Sequence, residues 1–465
     1  YGVDYADIRI VERKKESLHV KNQVVEEVNN STDYGFGVRV LLDGCWGFAS
    51  SFILDKKEVA RVVKLAIEIS RSSAILKKQD VVLSEEECVK ENYTSRFLKN
   101  PFKVPIDEKI KLLLGAESLL HQDKAMIIGE AQLKSFLKKQ LFLNTKGSEI
   151  KQTILACGGG VTATAVGDTG VQRRSFPNSW GDYATKGYEF IEDLELIKNA
   201  PVIGEEAVKL LNAPQCPSTE ATVVIGSSQL ALQIHESIGH PLELDRILGM
   251  EASYAGTSFV TLDKFNEFKY GSDIVNVYAD ATVEGGMGAF GFDDEGVRAG
   301  RFDVIKKGIL TGVLTSLETS PALNMKSNGC ARADGWNRIP LVRMTNINLS
   351  PGEKSLEEII GGIKQGFYLD TNKSWSIDDK RLNFQFAVEK AREIKNGKLG
   401  KLYRDANYTG ITPNFWNSCK NIGDKKSWTL WGLLNCGKGE PAQIMQVGHG
   451  TAPAEFENVK LGVGR

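Results

Sequence analysis

Residues 225–241 are the most informative stretch of the sequence for the fold: Ile-Gly-Ser-Ser-Gln-Leu-Ala-Leu-Gln-Ile-His-Glu-Ser-Ile-Gly-His-Pro. A strand over 222–225 leads into it, and Ser227-Ser228 can cap a short helix that follows. We therefore expect His235, Glu236 and His240 to be presented together after the strand and the helix.

Two imidazoles and a carboxylate are the groups that a hydrolytic zinc site needs. Neutral imidazoles bind Zn²⁺ well, and a metal-bound water has its pKa lowered to about 7. Glu236, which is adjacent to the ligands and not on the metal, can take the proton of that water. The spacing differs from the common His-Glu-x-x-His, so on its own the pattern also allows a structural role.

A catalytic zinc usually has three protein ligands and one open position, so a third donor must come from elsewhere in the chain. Cys436, in Asn435-Cys436-Gly437-Lys438-Gly439, is the best candidate among the thiols. Its flanking glycine lets the backbone turn tightly around a buried site. From residue chemistry alone, a small buried apolar side chain is the more common role of such a cysteine.

The two histidines are five residues apart, which places a constraint on the helix between them. In a regular α-helix a five-residue step turns through about 500°, which leaves the two side chains about 140° apart. We expect the helix to break near Gly239, which can adopt a left-handed conformation, with Pro241 disfavouring helical angles at His240. A widened π-type turn is the second possibility.

Charge and composition exclude several classes of protein. Lys plus Arg (58) nearly equals Asp plus Glu (59), and no basic cluster suits a nucleic acid or an anionic membrane. No run approaches the length of a membrane span, and Tyr1 to Lys14 does not resemble a secretion signal. The seven cysteines include no Cys-x-x-Cys pair, which favours a reducing compartment and a cytoplasmic protein.

The pattern of elements predicts an α+β protein with a mixed N-terminal region followed by a β-rich C-terminal catalytic domain. We place the main boundary at 213–220, where two prolines separate a helical pattern from a strand. The mixed region is then 1–215, with two possible subdomains at about 1–75 and 100–215. The β-rich domain is 221–465.

Several local signals are specific enough to test. Asp43-Gly44 predicts a hairpin turn between a strand at 37–42 and a return strand at 45–48. Asp55 and Ser355 are expected to cap helices, each with a glutamate three residues later. The apolar stripe at 59–69 predicts the buried face of the first helix, a second helix is expected at 106–120, and the acidic run 293–295 is interpreted as a surface turn.

The motif and the blocks that follow it resemble those of the TldD/PmbA family of peptidases. The match comprises His235 to His240, Gly256-Thr257-Ser258, Asp293 to Gly296, Arg343 to Asn346, and Cys436-Gly437-Lys438, in that order. It runs from Ile225 to Val463, and more loosely includes the hairpin and helix before Ser73. Pro241 and the segment 327–332 depart from the family pattern.

The resemblance implies a function and a set of site residues. In the metal-binding TldD branch two motif histidines and a C-terminal cysteine hold one zinc ion, which corresponds here to His235, His240 and Cys436. Glu236 would then be the general base. The family also implies a peptide or unfolded polypeptide substrate, and a homodimer or a heterodimer with a metal-free PmbA-like sister chain.

Two other functions remain open at this point. One is a non-catalytic peptide-binding subunit like the sister branch, and the other is a structural zinc protein with a fourth ligand. His449 could stabilise a transition state near Cys436, although the family pattern does not require it. Trp416, Trp428 and Trp431 are expected to pack in the core, with a wall for peptide binding as the second interpretation.

Overall fold

The computed structural model of the chain describes residues 2–121, 125–168 and 170–462. Val463, where the family resemblance ends, lies outside the described residues. The α+β class with a β-rich C-terminal half is confirmed by the arrangement of elements.

The N-terminal half is built on one large sheet. Its strands are β1 (Tyr5–Lys21), β2 (Val24–Leu42), β3 (Cys45–Ser51), β4 (Lys90–Thr94), β5 (Met126–Asn144), β6 (Glu149–Gly167), β7 (Gly170–Phe176) and β8 (Asp182–Ala184). The order of the sheet is β3-β2-β1-β5-β6-β4, and β7 and β8 also pair with β6. Its helices are α1 (Lys56–Ala74), α2 (Ile106–Ser118), α3 (Tyr188–Asp193) and α4 (Leu196–Leu211), with a 3₁₀ turn at Pro101–Lys103.

The hairpin predicted at Asp43-Gly44 is confirmed. Leu42 pairs with Cys45, and φ is 52° at Asp43 and 66° at Gly44. Positive φ at both positions gives the turn the twist of the flanking strands. Strand β2 is longer than predicted because it also pairs with β1 along its length.

The predicted helix starts are confirmed as well. The side chain of Asp55 accepts a hydrogen bond from the backbone N–H of Glu58 at 2.9 Å, and Ser355 and Glu358 form a reciprocal capping box. The face of α1 that packs on the sheet includes Ile67, whereas Ile69, which the predicted stripe included, is exposed. The buried face is therefore shifted slightly around the helix axis.

The C-terminal half contains many short strands. They are β9 (Thr219–Ile225), β10 (Val277–Asp280), β11 (Arg301–Lys306), β12 (Ile309–Leu310), β13 (Ala331–Arg332), β14 (Leu341–Val342), β15 (Ile347–Leu349), β16 (Gln365–Ile377), β17 (Asn383–Lys395), β18 (Lys398–Tyr403), β19 (Asn407–Ile411), β20 (Cys419–Ile422), β21 (Thr429–Lys438), β22 (Gln443–Thr451) and β23 (Ala454–Leu461). The helices are α5 (Ser227–Ile234), α6 (Leu244–Ile247), α7 (Ala252–Ala255), α8 (Leu356–Gly361) and α9 (Thr412–Asn417), with 3₁₀ turns at His240–Leu242, Leu262–Lys264 and Ser320–Leu323.

Strand β9, which leads into the motif, lies inside the main C-terminal sheet. It pairs parallel with β16 and antiparallel with β23. The sheet follows the order β16-β9-β23-β19-β17-β18, and an additional pairing of β16 with β17 closes five of these strands into a ring. Because Val223, Val224 and Ile225 are fully buried there, the end of β9 is a fixed point from which helix α5 begins.

The acidic run at 293–295 is buried, so its interpretation as a surface turn is wrong. Asp293 accepts backbone N–H groups, including that of Ala331 at 3.0 Å. Glu295 is paired with Arg39 of β2 at 2.9 Å, and Asp294 with Lys138 of β5 at 3.1 Å. Glu295 and Asp294 therefore join the two halves of the chain, and their charges are offset by partners that lie more than a hundred residues away in sequence.

In the part of the chain that the structure describes, no helix has the length and apolar character needed to cross a membrane.

Candidate metal centre

The motif begins on a short, fully buried helix. Gly226 is the N-terminal cap of α5, and no side chain caps this helix. The prediction that Ser227 or Ser228 would do so is wrong, since the Ser227 hydroxyl instead donates to the carbonyl of Thr451 at 2.8 Å. The start of α5 is thus tied to strand β22, next to the position of His449.

The helix widens where the first histidine begins. Residues His235–Gly239 form a π-helical turn, in which the N–H of His240 donates to the carbonyl of His235. A five-residue step then closes about one turn, so both imidazoles lie on the same face, with ring centroids 4.8 Å apart. The second possibility considered from the sequence is the one observed.

The preferred prediction, a helix break at Gly239, is wrong. Gly239 has right-handed helical angles, φ −58° and ψ −63°, and His240 does too. Glycine is required for space: a Cβ atom at Gly239 would lie 2.0 Å from Sδ of Met344. Pro241 is accommodated near the start of the 3₁₀ turn that follows, where a missing N–H is tolerated.

Cys436 lies beside the two histidines. The candidate ligand atoms of His235, His240 and Cys436 are all within 4.8 Å of one another, and all three residues are buried. Sγ of Cys436 is 3.7 Å from Nε2 of His240. Two imidazoles and a thiolate form a donor set suited to zinc, because sulfur and nitrogen ligands select it over magnesium or manganese. The three predicted ligands are therefore brought together by the fold.

The orientation of the His240 ring is fixed by a hydrogen bond on the side away from Cys436. Its Nδ1 lies 2.8 Å from Oε2 of Glu243, three residues later. A carboxylate accepts a hydrogen bond, so Nδ1 carries the hydrogen and the neutral ring keeps its lone pair on Nε2, the atom that faces Cys436. Glu243 has no exposed surface.

The orientation of the His235 ring is fixed by a chain of two hydrogen bonds that runs through His449. Nδ1 of His449 is 3.2 Å from the carbonyl oxygen of Ile347, which can only accept, so this nitrogen carries the hydrogen. Burial and the neighbouring His235 keep the pKa of His449 well below its usual value, and the ring is neutral. Its Nε2 therefore accepts from Nδ1 of His235 at 2.8 Å, so the neutral form of His235 has its lone pair on Nε2. Burial lowers the pKa of His235, but the adjacent Cys436 and Glu236 outweigh it and raise that pKa.

The electrostatics favour a thiolate at Cys436. Burial alone would raise the pKa of the thiol, but the positive charge of Arg343 and the interactions with His240 and His235 outweigh it and hold the pKa well below its usual value. The Arg343 guanidinium also donates to the backbone carbonyl of Cys436. A buried arginine beside the cysteine stabilises the anionic form that a metal ligand requires.

Glu236 points to a different partner from its histidine neighbours. Its Oε2 accepts a hydrogen bond from Nη1 of Arg381, which lies in the turn between β16 and β17. Arg381 has a positive φ of 61°, and its carbonyl accepts the hydroxyl of Thr412 at 2.8 Å. Among the described residues no donor reaches the other carboxylate oxygen, Oε1. The arginine therefore orients Glu236 through Oε2 and leaves Oε1 without a donor among these residues.

A buried charge cluster lies behind His240. Lys438 has no exposed surface, and its Nζ is 3.1 Å from Glu243 and 2.7 Å from Asp245. Arg246 pairs with Glu251 at 3.0 Å, and burial raises the pKa of Glu251 to about 7. Lys438 thus holds the carboxylate that orients His240, which accounts for the lysine two residues after the cysteine.

Two of the three tryptophans, Trp416 and Trp431, donate hydrogen bonds to the helical segment that carries the motif. Trp416 is fully buried, and its indole N–H donates to the hydroxyl of Ser237 inside the widened turn at 2.9 Å. Trp431 donates to Ser227 at 2.8 Å, and Trp428 to the carbonyl of Leu349 at 2.9 Å. For Trp416, the expected core packing is confirmed.

Some residues of the site were missed from the sequence. Arg381, Arg343 and Glu243 were given no role in it, and His449 was considered only as a stabiliser of a transition state. Glu243 could have been found, because a carboxylate three residues after a candidate ligand lies on the same helix face. No local pattern points to Arg381.

Two oriented imidazoles, a low-pKa thiol and an adjacent carboxylate meet at one buried site, an arrangement typical of the metallohydrolase class. Family models agree. The C-terminal domain of the PmbA/TldA metallopeptidases matches residues 218–462, domain 1 matches residues 6–70, and the central domain matches residues 99–213. The chain belongs to the PmbA/TldA metallopeptidase family, as the sequence motifs predicted.

Individual relatives cover nearly the whole chain. A metalloprotease of Methanocaldococcus jannaschii is 29% identical over 408 residues, which is 88% of this chain and 87% of that protein. A zinc metalloprotease TldD homolog of Saccharolobus solfataricus is 21% identical and covers 99% of this chain and 97% of its own length. A Thermotoga maritima crystal structure, described as a putative modulator of a DNA gyrase, shares the fold with a TM-score of 0.78 at 19% identity, covering 98% of this chain and 96% of that one.

Proposed function

We propose that this chain is a zinc-dependent peptidase that hydrolyses unstructured peptides or polypeptides. His235, His240 and Cys436 would hold one zinc ion, and Glu236 would act as the general base. One observation carries the proposal: the three donors lie within 4.8 Å of one another in a buried site, and a hydrogen bond to Nδ1 orients each imidazole ring. The metalloprotease names of the relatives support the peptidase activity.

The donor set fits a catalytic zinc better than a structural one. Two neutral imidazoles and one thiolate leave a residual formal charge of +1 and an open position. In the described parts of the chain, no fourth histidine, cysteine or carboxylate joins the three donors in the cluster. A zinc ion held there would supply a Lewis acid and lower the pKa of a bound water to about 7.

The other steps of the proposed reaction are assigned to side chains around the metal ligands. Glu236 takes the proton of the attacking water at Oε1, while Arg381 holds Oε2 and keeps the carboxylate oriented. Glu243 and His449 keep the two imidazoles in the tautomers that expose Nε2. Arg343 favours the thiolate of Cys436.

The finer assignments follow from the same residues. We assign the chain to the metal-binding TldD branch, because a metal-free sister chain would not need the ligand set or Glu236. Its domains would be the mixed region 1–215, with possible parts at about 1–75 and 100–215, and the catalytic domain 221–465. It would act as a homodimer or with a metal-free sister chain. The seven free cysteines favour the reducing cytoplasm.

Hydrolysis of an unstructured polypeptide with and without a chelator tests the proposal. We expect the zinc-loaded protein to cleave it, the chelated protein to be inactive, and zinc to restore cleavage. Glu236→Gln is the matched control, since it leaves the three ligands in place. A zinc-loaded protein that binds the polypeptide but never cleaves it would instead be the non-catalytic peptide-binding subunit. Cleavage that persists in fully demetallated protein would refute the proposal.

A further inference from the structure

A cleft lies between the two halves of the chain. One wall is a face of the N-terminal sheet formed by β1, β5 and β6, and the other includes residues of β21 and β22 in the C-terminal half. Its volume is about 510 Å³, within the range of ligand pockets. Leu434 and Asn435, which line the cleft, directly precede Cys436 on the same strand.

The sheet wall of the cleft is basic. Arg13 and Lys15 of β1, and Lys134 and Lys138 of β5, line it. The register explains why they share a face, since Arg13 is opposite Lys138 and Ser17 is opposite Lys134. Side chains two residues apart on a strand point to the same side of a sheet. These four cations therefore share one face of the sheet wall; Lys14, which also lines the cavity, pairs with Glu12 at 3.6 Å.

Two of these cations are already neutralised. Arg13 pairs with Asp33 at 2.6 Å, and Lys138 pairs with Asp294 at 3.1 Å. On the opposite wall, Arg332 donates to two backbone carbonyls at 2.8 Å. The side-chain donors of both arginines and of Lys138 are therefore already occupied by groups of the chain itself.

Lys15 and Lys134 have no such partner. Within the ranges 2–121, 125–168 and 170–462, no carboxylate lies in ion-pair distance of either ammonium group, and neither donates a hydrogen bond. Lys134 is half-buried and Lys15 is exposed; burial and the charge of Lys15 lower the pKa of Lys134, and Glu27, which is beyond ion-pair distance, offsets this only in part. A diagonal pair on adjacent strands is about 7–8 Å apart at the backbone, a distance that two long side chains can close around one anion. The cleft thus has two cations that make no ion pair with the described residues.

We propose that Lys15 and Lys134 bind a carboxylate group of the peptide substrate. This rests on the proposed peptidase function and adds a preference to it. The carboxylate can come from an aspartate or glutamate side chain or from the C-terminus of the peptide. Charge-assisted hydrogen bonds in a partly enclosed cleft are stronger than those on an open surface.

Binding of three labelled peptides to the Glu236→Gln protein tests this. All are unstructured and otherwise neutral: one has two glutamates and an amidated C-terminus, one has a free C-terminal carboxylate, and one has neither. Fluorescence anisotropy gives the Kd of each. We expect at least one carboxylate peptide to bind about 10-fold more tightly than the neutral amidated peptide, and the peptide that does so identifies the source.

Variants of the two lysines complete the test. Lys15→Gln with Lys134→Gln should remove the 10-fold preference without changing the Kd of the neutral peptide, and Lys134→Arg in place of Lys134→Gln should restore part of it. Lys139→Gln, on the other face of β5, is the matched control and should change nothing. Equal binding of all three peptides, or a preference that survives the double substitution, would overturn the proposal.

The experiments distinguish a failure of the lysine-site proposal from a failure of the peptidase proposal. Chelator-sensitive hydrolysis by the unsubstituted protein is measured alongside binding. Normal hydrolysis with no carboxylate preference would reject the lysine site alone. A carboxylate preference without hydrolysis would reject the peptidase function and leave the binding site standing.

Discussion

Replacing His449 with leucine should weaken zinc binding without removing any ligand. In the native site Nε2 of His449 accepts a hydrogen bond from Nδ1 of His235 at 2.8 Å, and both rings are buried. Leucine fills a similar volume but offers no acceptor. His235 must then either keep a buried N–H without a partner or move its hydrogen to Nε2, the atom needed for the metal.

The size of the effect follows from this contact. A buried donor left without an acceptor costs about 1–3 kcal/mol, because water cannot reach it. At 1.4 kcal/mol per factor of ten, the zinc Kd should rise about 5- to 140-fold, which brackets the roughly 10- to 100-fold typical for loss of a group that orients a metal ligand. His449→Gln should recover part of the loss, since its side-chain oxygen can accept the same hydrogen bond.

Competition with a chromogenic chelator measures the zinc Kd directly and requires no substrate. The thermal unfolding of metal-free protein, recorded in parallel, separates a local effect from general destabilisation. His19→Leu on β1 is the control and should leave the Kd unchanged. A zinc Kd for His449→Leu within a factor of two of the original value would refute the role of His449 in orienting His235.

The remaining predictions concern the motif itself. Glu236→Gln should keep zinc stoichiometric and lower the hydrolysis rate by at least about 10²-fold, since glutamine cannot accept the proton; unchanged turnover in zinc-loaded protein would contradict its role. Cys436→Ser should weaken zinc binding sharply, because a hydroxyl is a harder and less acidic donor; metal analysis after dialysis that still finds tightly held zinc would place the third ligand elsewhere. Gly239→Ala should destabilise the fold by about 1–3 kcal/mol in denaturant unfolding, because the new methyl would overlap Met344; an unchanged midpoint would show that the neighbouring side chain can move away.

Local signals in the sequence were reliable where the cause of the structure is local. The turn at Asp43-Gly44 and the caps at Asp55 and Ser355 depend on a few neighbouring residues, and all three were predicted correctly. The candidate ligands were also found from the sequence, His235 and His240 from spacing and Cys436 through the family motif. Their convergence could be stated only as an expectation.

Predictions failed where distant parts of the chain decide the outcome. Gly239 was assigned a left-handed role from its flexibility, but the space it leaves is filled by Met344, more than a hundred residues later. The acidic run at 293–295 looked like a solvated turn because its partners, Arg39 and Lys138, lie on strands of the other half. Arg381 is paired with Glu236 through a turn that has no recognisable signal of its own.

The distance along the chain between the candidate ligands affects how the protein folds. His235 and His240 lie within one turn, but Cys436 follows His240 by 196 positions and arrives on a strand from the far end of the chain. Closing such a long loop is slow, so high-affinity metal uptake would come late in folding, after the C-terminal half has assembled. A bound ion would then link the two ends of the C-terminal half. Its removal would lower the melting temperature of that half as a unit.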